Sequence, residues 1–211
     1  MPLLLTDLDE TLVDRSAALR RWATGFVATR GLPDAEVARI VEMDRHGRRS
    51  RPEFVAAVNE SLRLDPPLRL DYLSDYVRGF TLDPATADAL TRARAAGWRI
   101  GIVSNGEQPQ LDKIARVGLG PLVDGVCVSG LEQCRKPDPR LFRLAAERAG
   151  SSLEGAWMIG DDAVADMGGA DAAGIRGVWL RHGRTWPDDL PPPTAQADSF
   201  PEAVDIALSD G

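Results

Sequence analysis

An unbroken apolar run, Leu3–Leu5, opens the chain and gives way at once to Thr6, Asp7, Leu8, Asp9, Glu10 and Thr11. Continuous rather than alternating hydrophobicity predicts a short strand covered on both faces. Four stretches follow in which apolar residues recur at the three-and-four spacing of a helix that packs one stripe. Residues 16–30 carry Leu19, Trp22, Phe26 and Val27, and residues 34–45 carry Val37, Ile40 and Val41, with Asp34 expected as the N-cap. Residues 52–64 carry Phe54, Val55, Val58 and Leu62 behind Pro52, and residues 70–80 carry Leu73, Tyr76, Val77 and Phe80. No strand pattern separates them.

Beyond Asp83 the rhythm changes. Helical patterns at 84–96, 107–118, 138–150, 162–173 and 201–208 alternate with apolar runs at 98–104, 125–129, 156–160 and 175–180. The segment 187–193, "PDDLPPP", is expected to be a loop. Alternating strands and helices predict an α/β fold, a doubly wound parallel sheet with helices on both faces. The first strand stands apart from its successors. The expected organisation is therefore an α/β core of residues 1–13 and 80–211, interrupted by a small all-helical domain at 14–79.

Composition narrows the class. Hydrophobic residues are 44% and charged residues 27% of the 211, as in soluble globular proteins, and the formal charge of -7 argues against broad binding of nucleic acid or acidic membranes. No stretch approaches the roughly 18 apolar residues needed to span a bilayer. Nothing resembles an export signal, and the two cysteines, Cys127 and Cys134, do not make a disulfide scaffold, so a cytoplasmic setting is expected. Of the 25 Lys and Arg residues only Lys113 and Lys136 are lysine.

In an open parallel sheet, ligands bind beyond the carboxyl ends of the strands. After the first expected strand come Asp7, Asp9 and Thr11; after the second, Ser104, Asn105 and Gly106. After the third comes "RKPDP" with Lys136; after the fourth, Asp161, Asp162 and Asp166. If these loops share one rim, five acids meet one lysine and two small hydroxyl side chains. Carboxylates held that close repel one another unless neutralised, and a hard divalent cation such as Mg²⁺, which takes one or two carboxylates together with substrate phosphate oxygens, is the natural remedy. One carboxylate is then available as a nucleophile on phosphorus, and its neighbour two residues on as a proton carrier. Thr11 and Ser104 supply hydroxyl donors, and Lys136 a compact positive charge.

"DLDETL" resembles the DxDxT signature of the haloacid dehalogenase superfamily, and "IVSNG", "RKPDP" and "GDDAVAD" resemble its second, third and fourth motifs in the family's order. The insertion after the first motif resembles the helical cap of the phosphoglycolate-phosphatase-like and β-phosphoglucomutase-like members. The resemblance implies a Mg²⁺-dependent phosphatase acting on a small phosphorylated metabolite. It implies Asp7 as nucleophile and Asp9 as general acid, then base. The ion is implied on the Asp7 and Asp161 carboxylates and the Asp9 carbonyl, with Asp166 behind them on metal waters or Lys136. Thr11, Ser104, Asn105 and Lys136 are implied to contact the phosphoryl group. Asp162 receives no role.

Other functions fit parts of this pattern. A phosphosugar mutase would use the same aspartyl phosphate, and a receiver-like or regulatory phosphate-binding protein would use a similar acid pocket without turnover. Dehalogenases of the family lack the second acid, which is present here as Asp9. The phosphonate-cleaving members need a lysine in the insertion, and residues 14–79 contain none. The one dense basic stretch, Arg45 to Arg51, is read as a solvated turn between two insertion helices, and His46 and His182 are given no catalytic part. Oligomeric state is not legible.

Overall fold

Leu3–Thr6 form the first strand, β1, buried along its whole length as the apolar run requires. The computed structural model describes residues 1–209. In chain order it continues through α1 (Arg15–Thr29), α2 (Ala35–Met43), α3 (Arg51–Leu62), α4 (Tyr72–Arg78) and α5 (Pro84–Ala95). Next come β2 (Arg99–Ser104), α6 (Pro109–Arg116), β3 (Gly125–Val128), α7 (Ser129–Glu132), α8 (Pro139–Arg148) and β4 (Trp157–Gly160). A π-helical turn, Ala163–Met167, leads into α9 (Gly168–Ala173), then β5 (Arg176–Leu180), β6 (Ala195–Ala197) and α10 (Phe200–Ser209). The chain divides into two compact units, Met1–Val13 with the chain from Leu82 onward, and Asp14–Thr81.

In the first unit six parallel strands lie in the order β3-β2-β1-β4-β5-β6. Side chains alternate across the sheet. Leu3 and Leu5 of β1, Val103 of β2, Cys127 of β3 and Met158 of β4 pack with Leu141, Phe142 and Ala145 of α8 and Ala170 of α9. A second layer forms from α5, on β2, and α10, on β4 and β5, which also pack on each other. This is the doubly wound α/β arrangement. Strand order reverses at β1, whose neighbours β2 and β4 lead away in opposite directions, so a crevice opens beyond the ends of β1 and β4.

Local chemistry sets the helix starts. Asp138 accepts the Arg140 N–H at 2.9 Å, with Pro139 in the first turn, and Asp83 does the same for Ala85 at 3.3 Å. The edge strand β6 was not expected: Ala-Gln-Ala carries little apolar signal and becomes a strand only by pairing with Val178–Leu180 of β5.

In the second unit α1, α2, α3 and α4 pack around a run of rings, Trp22, Phe54, Tyr72, Tyr76 and Phe80, with Trp22 and Tyr72 closest at 4.7 Å between centroids. Asp14 caps α1 through the Ala17 N–H at 2.6 Å, and Ser50 with Glu53 forms a capping box on α3. Asp34 corrects an expectation: its backbone is already helical, its side chain accepts no capping bond, and α2 begins by turning through the Pro33 and Asp34 carbonyls. The basic stretch is solvated only in part. Arg45 and Arg48 are exposed, whereas Arg51 is half-buried, pairing with the buried Asp44 at 3.0 Å and lying over the Tyr76 ring. Asp44 also receives two bonds from Arg15 at 2.6 Å and the Gly47 N–H at 2.6 Å. Among the described residues no helix is long and apolar enough to cross a membrane.

Candidate active site

The ladder of β1 ends with the Asp7 N–H donating to the Ile159 carbonyl at 2.9 Å, which delivers the Asp7 side chain to the crevice beside the end of β4. The following residues turn back sharply: the Leu12 and Val13 N–H groups both donate to the Leu8 carbonyl at 3.0 Å, and Glu10 adopts a positive φ of 56°. Asp161 follows β4 directly. One oxygen from each of Asp7, Asp161 and Asp166 lies within 4.8 Å of the others.

Lys136 enters this acid group from the loop after α7. Its Nζ donates to Asp7 Oδ1 and to Asp166 Oδ1, both at 2.7 Å, and the side chain is 2% exposed. Asp166 is wholly buried, and its other oxygen accepts the Asp162 N–H at 3.0 Å. Gly160 is required here, because a Cβ at that position would overlap the Asp166 carboxylate. Asp162 now has a role: its side chain accepts the Val164 and Ala165 N–H groups at 2.9 and 2.8 Å and caps the π-helical turn that aims Asp166 inward. The expected uniform helix from 162 is thus a capped, widened first turn.

Asp161 is paired from the other side. Arg184, just past β5, donates to the Asp161 carboxylate at 3.1 Å and to its carbonyl at 2.8 Å, and the Trp179 Nε1–H donates to the same carbonyl at 2.8 Å. Sequence reasoning passed over Arg184, since nothing local distinguishes it from the chain's many other arginines.

Asp9 does not join the acid group. Its carboxylate is gripped by Lys113 of α6, whose Nζ lies 2.7 Å from both oxygens, and by Gln110 Nε2 at 3.1 Å. Gln110 Nε2 also donates to Ser104 Oγ at 2.7 Å, so the Ser104 hydroxyl accepts there and keeps its own hydrogen for another partner. Five converging acids were expected; three converge, Asp162 caps a turn, and Asp9 carries its own cation. Gln110 and Lys113 were missed. The available signal was compositional, because Lys113 is the second of only two lysines.

Thr11 is buried, and its Oγ1 has no hydrogen-bond partner among the described residues. A buried hydroxyl left unpaired is costly unless a ligand completes it. Asn105 departs from its expected contact with a phosphoryl group. Its Oδ1 accepts the Lys136 N–H at 2.9 Å and its Nδ2 donates to the Lys136 carbonyl at 3.1 Å, so the amide clamps the lysine's backbone. Among the described residues His182 makes a bond with the Glu10 carbonyl, at 2.6 Å, which ties the turn after β1 to the loop after β5.

The electrostatics follow from burial and proximity. Burial pushes the Asp7 carboxyl up to about 7 against the pull of Lys136, and the Asp166 charge adds to the rise. Burial and then the Asp7 charge push Asp161 up to about 7, opposed by Arg184. Burial likewise raises Asp166. For Lys136 burial disfavours the cation, but Asp166 and Asp7 outweigh it and the pKa is raised. Three hard oxygen donors face one ammonium and one guanidinium, a donor set that suits Mg²⁺ and not a softer metal.

A family model described as haloacid dehalogenase-like hydrolase matches residues 1–174. Glyceraldehyde 3-phosphate phosphatase of Pyrococcus abyssi is 29% identical over 193 residues, covering 84% of this chain and 80% of that protein. Phosphoserine phosphatase of Thermus thermophilus is 37% identical over 107 residues, covering 50% of this chain and 43% of that protein. Among solved structures, the hydrolase YfnB of Bacillus subtilis bound to magnesium superposes with a TM-score of 0.75 at 22% identity, covering 98% of each chain. L-2-haloacid dehalogenase of Xanthobacter autotrophicus reaches 0.78 at 16% identity, covering 99% of each. These two likenesses establish the fold and do not choose a reaction.

Proposed function

Because the chain belongs to the haloacid dehalogenase-like hydrolases, we propose that it is a Mg²⁺-dependent phosphatase that hydrolyses a small soluble phosphomonoester through an aspartyl phosphate on Asp7. The names of its relatives, glyceraldehyde 3-phosphate phosphatase and phosphoserine phosphatase, support a phosphomonoester substrate of small size. One observation carries the reading: Asp7 has one oxygen held by Lys136 at 2.7 Å and a second that accepts no hydrogen bond among the described residues.

In this reading the free Asp7 oxygen attacks phosphorus as the bond from phosphorus to the leaving oxygen breaks. Asp9 gives that oxygen a proton, then takes one from the water that cleaves the aspartyl phosphate, which restores the Asp7 carboxylate and releases phosphate. Thr11 Oγ1 and the Ser104 hydroxyl hydrogen donate to phosphoryl oxygens, and Lys136 offsets the charge that gathers in transfer. Asn105 holds Lys136 in place. Asp7 and Asp161 would hold Mg²⁺ with the Asp9 carbonyl, Asp166 standing behind them on Lys136. When bound, the ion offsets the crowded carboxylates and shields the approach of one anion to another.

The test is release of p-nitrophenol from p-nitrophenyl phosphate, with and without Mg²⁺, by the native protein and by Asp7→Asn. Magnesium-dependent turnover that disappears in the variant is expected. Turnover that survives Asp7→Asn refutes the mechanism.

A further inference from the structure

Gln110 and Lys113 stand one helical turn apart in α6, so both side chains leave the same face of that helix. Both are buried, at 4% and 1% exposure, in a short helix whose other polar residues are solvated. An ammonium so deeply enclosed carries a heavy penalty unless its charge is used. Its charge meets Asp9, a residue 104 positions away in the chain, with both carboxylate oxygens at 2.7 Å. Gln110 joins the two halves of the arrangement, since its Nε2 donates at once to Asp9 Oδ2 and to Ser104 Oγ. A Cβ at Gly106 would overlap the Gln110 side chain, so the backbone after β2 is itself shaped around the glutamine.

We infer that Gln110 and Lys113 are positioning residues of this active site: one face of α6 sets the direction of the Asp9 carboxylate and turns the Ser104 hydroxyl hydrogen toward the crevice. This rests on the proposed proton-carrying role of Asp9. Neither residue touches the reacting atoms. Lys113 fixes the carboxylate by two contacts, which leaves it one orientation. Gln110, as a donor to Ser104 Oγ, removes the orientation in which that hydroxyl would point back into the helix.

The experiment compares two substrates of nearly the same shape in the full chain with Mg²⁺. p-Nitrophenolate departs readily without a proton, whereas phenolate is a poorer leaving group and gains more from a well-placed acid. The quantity read is kcat/KM, which reports transfer to Asp7 and excludes later hydrolysis of the intermediate. Lys113→Met is expected to lose roughly 100-fold on phenyl phosphate and less than about tenfold on p-nitrophenyl phosphate, the same selectivity expected of Asp9→Asn. The double variant should lose no more than Asp9→Asn alone, because the lysine acts through the acid.

Gln110→Leu, which keeps volume and leaves Lys113 in place, is expected to lose more on phenyl phosphate than on p-nitrophenyl phosphate through Asp9, over a smaller loss common to both substrates through Ser104, and it carries the test if Lys113→Met does not fold. Equal losses on both substrates, no loss, or a gain on phenyl phosphate, with Asp9→Asn still selective, overturn the inference and leave the proposed function standing. An Asp9→Asn variant without selectivity overturns both the proton role of Asp9 and the inference built on it.

Discussion

The ammonium of Lys136 lies 2.7 Å from the Asp7 carboxylate, although 129 positions separate the two residues in the chain. The same ammonium is 2.7 Å from Asp166, so one buried cation holds together two carboxylates that follow different strands of the α/β unit. The consequences of that geometry can be measured.

Lys136→Met leaves Asp7 and Asp166 buried without their cation. Breaking a buried pair by removing one partner costs about 3–5 kcal/mol. Urea denaturation of the metal-free variant should show a loss of that order, and Mg²⁺ should recover more stability for it than for the native protein. A variant as stable as the native protein would show that the two acids need no counter-charge.

The raised carboxyls make stability depend on pH with a definite sign. Asp7 and Asp161 move from an ordinary 3.8 to about 7, so between those values the folded state binds more protons than the unfolded one. Metal-free stability should therefore fall as pH rises from about 4 to about 7. Asp161→Asn should remove part of this slope, gaining up to ~4 kcal/mol over the native protein at pH 7 and nothing at pH 4. Denaturant midpoints measured in chelator across this range check the sign. With Mg²⁺ the slope should shrink or reverse, because the ion binds the ionised carboxylates.

Asn105→Ala removes both bonds on the Lys136 backbone. Two backbone groups lose their partners, at a cost of about 1–3 kcal/mol each. Turnover of p-nitrophenyl phosphate should drop although Asn105 touches no substrate in the proposed mechanism. Asn105→Asp keeps the acceptor for the Lys136 N–H but sets a carboxylate oxygen against the Lys136 carbonyl, so it should not restore native turnover.

Asp44→Ala takes from Arg15, which is buried, the carboxylate to which it donates two bonds at 2.6 Å. The unit Asp14–Thr81 should be destabilised by about 3–5 kcal/mol, with Asp44→Asn less affected because its amide oxygen still accepts from the Gly47 N–H. Thermal unfolding followed by the fluorescence of Trp22 and its neighbours would register the change.

What the sequence by itself determined is what depends on near neighbours. Apolar runs marked the strands Leu3–Thr6, Arg99–Ser104 and Trp157–Gly160, and three-and-four spacing marked the amphipathic helices. The acids and hydroxyls at strand ends were legible for the same reason, since a parallel sheet puts every such end on one rim. Tertiary structure decided which of them meet. Asp9 and Asp162 carry the same carboxylate side chain as Asp7 and Asp161, yet one is taken by Lys113 and the other by the N–H groups of its own turn. Asn105 looked like a ligand-facing amide until the Lys136 backbone arrived beside it. Gln110 and Lys113 lie in a helix whose pattern is ordinary, and β6 has no pattern of its own. Contacts between residues a hundred positions apart are set by how helices seat on the sheet, and side-chain periodicity records only that a residue faces inward, not which charge it will face.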